Sequence, residues 1–353
     1  RAGNLHPPLY FFLLKGWVKL AGTSSFGVRF LSAWFGTLLI PALYAFGRRW
    51  LSRRSGWIAA GLAALSPLYL VYAQEARAYA ILPLVYLMLL HMLRRMSRPT
   101  HGPGWNLWLL LAGAEVLALG LHYMSLFAVS YVFVILLVRL RRSRTQLVRL
   151  LVVQGLVILS LLPWLVVVFR HFDALAARLG MSNWRAQPVT AAHYLRLLWT
   201  FQLTGLTALI ANPIMVALTA LVALVTLGAV ARALVSRNAR QPIVSLFLDW
   251  LIPLGGAWMA WQVRPLSHPR YVLIFTPALL LLFAGVLDQL LDHSHFEQGL
   301  AVVLALALAA TSLLGIFFYH TPRFAKDDTR GTAATLVAHS TAEDLILVPP
   351  EDW

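Results

Sequence analysis

The side chains best suited to catalysis or anion binding lie in one short stretch, Tyr72-Ala-Gln-Glu-Ala-Arg-Ala-Tyr79, between two long apolar runs. Glu75 can exchange a proton and Arg77 can bind an anion. Ionisable groups at membrane depth are costly and usually face a polar cavity or a partner. The stretch is therefore a candidate wall of an active site.

The spacing inside this stretch makes a conditional prediction. If the segment is helical, Glu75 and Tyr79 share a face, as do Gln74 and Arg77, whereas Glu75 and Arg77 diverge. The alternative is anchoring at the membrane surface. Arg77 would then reach the headgroups, and Tyr72 and Tyr79 would belong to the aromatic belt.

Two further groups of residues could bind a substrate. Ser267-His268-Pro269-Arg270-Tyr271 begins a later apolar run, and an arginine fork matches phosphate oxygens in pairs, with His268 as a further donor. His122-Tyr123 forms a tight turn between two other runs. The structural alternatives are an arginine that extends to the membrane surface and a histidine satisfied within the fold.

The composition is that of a polytopic membrane protein. Of 353 residues, 60% are hydrophobic and 12% charged, whereas soluble domains carry about 25% charged residues. The net charge of +16 does not indicate nucleic-acid binding, because the arginines cluster in short loops between apolar runs. The absence of cysteine excludes disulfides and thiolate metal sites. Walker-type loops, nucleophile elbows and His-Glu-x-x-His patterns are not present.

About ten runs are apolar and long enough to span a bilayer, which takes roughly 20 residues. They extend over Phe26–Gly47, Trp57–Tyr72, Tyr79–Leu93, Trp105–Leu121, Tyr123–Val138, Leu150–Phe169, Pro213–Val235, Ile243–Trp261, Tyr271–Leu287 and Gly299–Tyr319.

Two shorter segments predict helices at the membrane surface. Leu9 to Leu20 is too short to span and carries Lys15 and Lys19 on one face, and His6-Pro7-Pro8 would start it because proline is tolerated in a first turn. Ala191 to Leu203 is the second. Its apolar stripe consists of Tyr194, Leu197, Leu198 and Phe201, with His193 and Arg196 off the stripe.

Alternate loops carry the positive charge, which predicts that they are cytoplasmic. Their arginines are Arg48, Arg49, Arg53, Arg54, Arg94, Arg95, Arg98, Arg139, Arg141, Arg142, Arg144, Arg232, Arg237 and Arg240. The loop from Asp288 to Gln298 falls on the same side but lacks Lys and Arg. The start of the chain, Tyr72 to Tyr79, His122 and Arg264 to Arg270 are then extracytoplasmic.

This pattern predicts that the chain has three parts. Residues 1–25 form an extracytoplasmic interfacial segment and residues 26–320 the transmembrane domain. Residues 321–353 begin a small extracytoplasmic α/β domain, with a helix over Thr332–His339 and a strand over Leu345–Val348. Because the chain begins at Arg1 and ends before a sheet can close, both ends are expected to be truncated.

Acidic residues are scarce on the extracytoplasmic side of this arrangement. Between Arg1 and Pro322 they are Glu75, Glu115 and Asp173. Glu115 is expected to pair inside the bundle, and Asp249, within a span, to be structural. Glu75 is therefore the carboxylate best placed to face a polar cavity.

Several motifs together resemble the membrane glycosyltransferases of family 39. They are His6-Pro7-Pro8-Leu9-Tyr10, Gly27-Val28-Arg29 at the start of a span, Gln74-Glu75-Ala76-Arg77-Ala78-Tyr79, His122-Tyr123 and His268-Pro269-Arg270-Tyr271. The family includes the protein O-mannosyltransferases and the bacterial aminoarabinose transferases. The resemblance covers about Leu5 to Thr332.

The resemblance implies an all-α polytopic membrane protein with a GT-C-like bundle of about ten transmembrane helices and interfacial helices. It implies transfer of a sugar from a polyprenyl-phosphate-linked donor to a lipid, glycan or protein acceptor at the extracytoplasmic face of a prokaryotic plasma membrane. No other cofactor and no metal is expected. The family's main carboxylate lies before the His-Pro-Pro segment, upstream of Arg1, which leaves Glu75 a supporting role. The expected substrate- and phosphate-binding residues are His6, Lys15, Arg77, Tyr79, His122, Tyr123, His268, Arg270 and Tyr271.

Two other classes of function stay open at this point. Pro163, Pro253 and Pro277 interrupt spans, as in transporters of lipids or polysaccharides. However, the unusual polar groups collect at one membrane face rather than at mid-membrane. A membrane scaffold with a partner-binding tail is the third possibility.

Overall fold

The computed structural model describes residues 6–97, 103–170, 190–235, 240–263, 269–321 and 329–339. Within these ranges the chain is almost entirely helical and forms no β-strand. This all-α fold agrees with the expectation from the apolar runs, since a chain in hydrocarbon has to satisfy its backbone N–H and C=O groups internally.

The described elements follow one another along the chain with short connections. The helices are α1 (Leu9–Ala21), α2 (Ser25–Trp50), α3 (Arg53–Ala64), α4 (Pro67–Ala73), α5 (Leu82–Met96), α6 (Trp105–Leu121), α7 (Ser125–Leu140), α8 (Arg144–Arg170), α9 (Ala191–Thr204), α10 (Pro213–Val235), α11 (Arg240–Val263), α12 (Thr276–Leu291), α13 (His295–Tyr319) and α14 (Thr329–His339). Three 3₁₀ segments cover Ala78–Ala80, Thr207–Ala211 and Pro269–Phe275.

The helices account for the ten expected spans. Among the described residues, seven segments are long and apolar enough to cross a membrane: α2, α5 with its preceding 3₁₀ turn, α8, α10, α11, α12 with its preceding 3₁₀ turn, and α13. The bent pair α3 and α4 adds one broken span, and α6 and α7 are shorter apolar helices. The chain is therefore a multi-pass membrane protein.

The span expected over Trp57–Tyr72 is broken rather than continuous. α3 and α4 meet at an angle of 57°, because Pro67 cannot continue the hydrogen-bond ladder of α3 and the Ser66 side chain caps a new helix. Gly205, at φ +72°, packs against this break, and a Cβ there would lie 3.0 Å from the Leu68 nitrogen. The break turns α4 towards the candidate site described below.

The conditional helix over Gln74–Arg77 does not form. α4 ends at Ala73, and the chain passes through bends in which the Arg77 N–H donates to the Glu75 carbonyl at 2.8 Å. Because an i,i+4 face requires a helix, the condition for a face shared by Glu75 and Tyr79 is not met.

One end of the bundle holds arginine–carboxylate pairs, and we call it the paired end. Arg54 of α3 contacts Asp288 at 3.3 Å and Asp292 at 2.7 Å. Arg232 of α10 pairs with Glu297 of α13. The acidic loop that lacked Lys and Arg is therefore a short turn whose carboxylates are neutralised by arginines of neighbouring helices.

Both intramembrane carboxylates have partners inside the bundle, although the Oε1 atom of Glu115 is buried without a hydrogen-bond partner. Asp249 of α11 is 2% exposed and accepts from Arg94 at 2.6 Å and from the Tyr131 hydroxyl at 2.8 Å. Glu115 of α6 accepts from the Gln154 amide of α8 at 2.8 Å. Both carboxylates therefore connect helices within the bundle.

The two short amphipathic segments are helical as predicted. α1 is joined to α2 by the Trp17 indole, which donates to the Gly27 carbonyl at 2.7 Å. In α9, Tyr194, Leu198 and Phe201 of the expected stripe are buried. At the far end, α14 covers the expected helix Thr332–His339, and the expected strand Leu345–Val348 lies outside the described residues.

Candidate active site

Four separate segments meet at the end of the bundle where α5 and α12 begin, opposite the paired end where they finish. They are the residues before α1, the end of α4 with the 3₁₀ turn Ala78–Ala80, the turn between α6 and α7, and the start of Pro269–Phe275. We call their shared side chains the His122 cluster, which comprises His6, Tyr72, Tyr79, His122, Arg270 and Tyr271.

His122 lies at the centre of this cluster and is surrounded by rings. Its ring centroid is 5.4 Å from that of Tyr271, 5.7 Å from that of Tyr79 and 6.3 Å from that of His6. Only 6% of its surface is exposed. Residues far apart in sequence thus form one aromatic wall around a single imidazole.

Arg270 provides the cation of the cluster. Its guanidinium carbon lies 5.7 Å from the ring centroids of both Tyr79 and Tyr271. Guanidinium groups are attracted to the negative faces of aromatic rings, and a planar fork held in this way is suited to bidentate binding of a phosphate. The rings fix the position of the charge before a ligand arrives.

Both histidines of the cluster are held neutral at physiological pH. Burial lowers the pKa of His122 to about 3, and the nearby His6 and Arg270 act in the same direction. Burial, Arg77 and Arg270 also lower the pKa of His6. Desolvation and neighbouring cations both disfavour an imidazolium, so these histidines act as neutral hydrogen-bonding groups.

A hydrogen-bonded chain fixes the 3₁₀ turn against the first two helices. The Ser32 hydroxyl donates to the Arg77 carbonyl at 3.3 Å, and the Tyr10 hydroxyl lies 3.3 Å from the Ser32 oxygen. Because the single hydroxyl proton of Ser32 is used, Tyr10 is the donor in the second bond. This link orients the exposed Arg77 side chain beside His6.

Glu75 is half-buried at the edge of the cluster. Its carboxylate is within electrostatic range of the hydroxyls of Tyr72 and Tyr79. Tyr72 in turn packs edge-on against Tyr79, with ring centroids 5.3 Å apart. Among the described residues, Glu75 is therefore the carboxylate that lies with these phenols.

The remaining expected residues are not part of the cluster. Lys15 is on the exposed face of α1 and makes no hydrogen bond or ion pair within the described part of the chain. Tyr123 points away from its neighbour His122, is 40% exposed and lies next to Trp164 of α8. His268 falls outside the described residues.

A groove beside the cluster was not foreseen from the sequence. It has a volume of about 500 Å³ and lies between α9, α10, α11 and α12. Its walls are mainly apolar and include Leu195, Trp199, Val216, Ala223, Leu227 and Trp250, with Arg196 also lining it. Small residues on α10 open the groove, and nothing in their sequence pattern distinguishes them from an ordinary span.

α9 connects this groove to the His122 cluster. Trp199 forms part of the groove wall, and its indole donates to the Thr219 carbonyl of α10 at 2.8 Å. Two residues further on, the ring centroid of Phe201 lies 6.2 Å from that of Tyr72. A ligand in the groove and a ligand at the cluster would therefore contact opposite sides of one helix.

Among the described residues, no group of three or more His, Asp or Glu side chains is arranged to hold a metal ion.

Comparison with known proteins agrees with this architecture. Residues 5–166 match the family described as dolichyl-phosphate-mannose-protein mannosyltransferase. ArnT from Cupriavidus metallidurans in the apo state is similar with 20% identity and a TM-score of 0.50, over 88% of this chain and 53% of that chain. The same protein bound to undecaprenyl phosphate gives 20% identity and a TM-score of 0.51, over 96% and 56%. No curated protein matches the chain.

These likenesses define the class of fold. The chain spans slightly more than half of the length of the ArnT structures, and identity at this level establishes the fold. The family match over residues 5–166, somewhat less than half of the chain, and the fold shared with ArnT over most of the chain both agree with the resemblance to the membrane glycosyltransferases of family 39. The sequence match contains Glu75 and His122 and ends before Arg270.

Proposed function

We propose that the protein is a glycosyltransferase that moves a sugar from a polyprenyl-phosphate-linked donor to a hydroxyl of a lipid, glycan or protein acceptor. It works at the extracytoplasmic face of a prokaryotic plasma membrane. The observation that carries the proposal is the His122 cluster, in which an arginine is stacked between two phenol rings at one end of a GT-C bundle. The arginine-rich loops gather at the other end, which by the positive-inside rule is the cytoplasmic one.

Arg270 is the group assigned to the donor phosphate. When the sugar leaves, negative charge grows on the phosphate oxygens, and fixed cationic donors aimed at that charge are the usual large term in catalysis. His6 is close to both Arg270 and Arg77 and completes the binding surface with Arg77, while the rings of Tyr79 and Tyr271 flank Arg270. His268, which lies outside the described residues, is assigned to the same phosphate from its place in the sequence. Lys15, on the exposed face of α1, is assigned to the same phosphate at headgroup depth.

The groove is assigned to the polyprenyl chain. It is apolar, runs beside α10 and has Arg196 among its lining residues. The ArnT structure that shares this fold is described as bound to undecaprenyl phosphate, which supports a lipid phosphate as the donor. In this assignment α9 separates the lipid tail from the reacting phosphate.

The reaction is a displacement at the anomeric carbon. An acceptor hydroxyl forms the new C–O bond, its proton passes to a carboxylate, and the bond to the phosphate oxygen breaks with its electron pair going to the polyprenyl phosphate. General-base assistance of this kind contributes roughly 10²–10⁴-fold. Glu75 is assigned a supporting role, in which it orients the acceptor or a cation beside Tyr72 and Tyr79.

The direct test follows a radiolabelled sugar on undecaprenyl phosphate in liposomes that contain the purified protein and a membrane extract as the source of acceptors. A transferase releases unlabelled undecaprenyl phosphate and moves the label to a new molecule. If the label only crosses the bilayer and stays on its carrier, the protein is a transporter and the proposal fails.

A bulky residue in the groove tests the lipid assignment. Ala223→Trp is expected to reduce turnover of a long-chain polyprenyl donor at least about tenfold, since overfilling a packed site costs roughly 1–3 kcal/mol, while a short-chain donor is less affected. Leu224→Trp is the matched control, because the neighbouring Leu224 is exposed on the outer side of α10. Equal turnover of long and short donors by Ala223→Trp would contradict the assignment.

A further inference from the structure

The turn between α6 and α7 contains a buried nitrogen with no hydrogen-bond partner, the Nε2 atom of His122. An unmade hydrogen bond of this kind costs roughly 1–3 kcal/mol. Such atoms are uncommon in folded proteins and call for an explanation, either a water or a ligand. His122 is the centre of the cluster, which makes a ligand the relevant alternative.

The backbone determines which ring nitrogen carries the proton. The Met124 N–H donates to Nδ1 of His122 at 3.1 Å. A backbone N–H can only donate, so Nδ1 is the acceptor, and the single proton of the neutral imidazole is on Nε2. The orphaned atom is therefore a hydrogen-bond donor, and the turn itself fixes this tautomer.

The surroundings of His122 specify the kind of acceptor that it faces. Arg270 lies close enough to lower its pKa, and His6, which is stacked on it, is close to both Arg77 and Arg270. A neutral N–H close to the Arg270 guanidinium is suited to an anionic oxygen. Because Nε2 is shielded from water, the oxygen has to enter between the rings, and the partly exposed rings of His6 and Tyr271 are the ones that can shift.

We propose that His122 binds a non-bridging oxygen of the donor phosphate through its Nε2–H, as a neutral donor fixed by the Met124 backbone. This role rests on the proposed function and deepens it. His122 is then neither the catalytic base nor a cationic phosphate ligand. It supplies the uncharged hydrogen bond that orients the phosphate against the fork of Arg270.

Two substitutions distinguish the contribution of the Nε2–H donor from that of the rest of the His122 ring. His122→Gln can place an amide N–H near the position of Nε2, whereas the shorter His122→Asn reaches only the position of Nδ1. Hydrogen bonds to charged groups are worth about 1.5–3 kcal/mol. We expect His122→Asn to weaken binding of undecaprenyl phosphate roughly 10–100-fold and His122→Gln to bind within a few-fold of wild type. Leu126→Ala, in the next turn and exposed to lipid, is the matched control.

Binding is measured by titration of undecaprenyl phosphate and, separately, of undecaprenol, which lacks the phosphate. The loss in His122→Asn should appear with the phosphate and not with the alcohol. Wild-type affinity in both His122 variants overturns the proposal and leaves a water as the partner of Nε2. Normal phosphate binding with lost sugar transfer also overturns it, because His122 would then contact the sugar or the acceptor. If the wild-type protein binds undecaprenyl phosphate no better than undecaprenol, the proposed function itself fails, whatever the variants do.

Discussion

The two ends of the bundle hold their arginines in different ways. Arg94 contacts Asp249 at 2.6 Å inside the bundle, and at the paired end Arg54 contacts Asp292 at 2.7 Å, so each of these charges is matched by a carboxylate. In the His122 cluster, Arg270 is stacked on the rings of Tyr79 and Tyr271. A carboxylate partner cancels the charge of a guanidinium, whereas an aromatic partner holds the group in place without cancelling its charge.

The comparison therefore separates structural arginines from a candidate functional one. Burial alone does not separate structural from functional arginines. The Arg94 side chain is 16% exposed and that of Arg54 is 50% exposed, yet both arginines pair with carboxylates. The chemistry of the neighbouring side chains, carboxylate or aromatic ring, separates the two kinds. The following predictions test this difference, beginning with the largest expected effect.

Arg94→Met should destabilise the fold by about 3–5 kcal/mol, because it leaves the buried Asp249 without its cation. The measurement is the free energy of unfolding in micelles. Arg94→Met combined with Asp249→Leu should recover much of the loss, as removing both charges removes the desolvation cost. Arg54→Ala should have a much smaller effect, because its ion pairs lie at the surface, where solvent screens them. Equal losses for Arg94→Met and Arg54→Ala would contradict a structural role for the buried pair.

Arg270→Ala should instead affect turnover more than stability. Loss of one preorganised donor to a developing anion costs about 10²–10³-fold in rate, and Arg270→Lys should retain part of the activity because it keeps the charge but loses the fork. The measurement is the rate of sugar release from the lipid phosphate at matched protein stability. Wild-type turnover in Arg270→Ala would show that its position between the rings is only structural.

Acid should weaken the His122 cluster. Burial lowers the pKa of His122 to about 3, so between that value and the ordinary pKa near 6.5 the unfolded chain binds a proton that the folded chain cannot. Stability is therefore fully present above about pH 7 and falls as the pH drops, by up to about 1.4 kcal/mol per pH unit. The test is the difference in unfolding free energy between wild type and His122→Gln from pH 7 to pH 4.5. A constant difference would contradict a buried neutral His122.

Glu75→Gln should give the smallest change. As a supporting group beside Tyr72 and Tyr79, Glu75 is expected to contribute about tenfold to turnover, equivalent to roughly 1.4 kcal/mol, with normal membrane insertion. Transfer assays on reconstituted protein would measure it. Full activity in this variant would reduce Glu75 to a membrane anchor.

The sequence alone predicts a large part of the fold. Hydropathy gives ten spans in the right order, because a bilayer requires long apolar segments with internally satisfied backbones. Ser66 and Pro67 carry the signal for the break between α3 and α4, but the apolar residues on both sides hide it in a hydropathy average. The sequence predicts a face shared by Glu75 and Tyr79 only on the condition of a helix, and periodicity cannot report that the helix has ended at Ala73.

The sequence also names most of the candidate residues, since arginine, histidine and tyrosine at the ends of apolar runs are few. It could not decide which of them meet. His122 and Tyr123 are neighbours in sequence, yet one faces the cluster and the other faces away, because the turn after α6 directs them to opposite sides. Arg270 and Tyr79 are 191 positions apart and come together only when the helices pack. Residue types and depth in the membrane follow from local chemistry, whereas the partner of each charge, carboxylate or aromatic ring, is a property of the packed bundle.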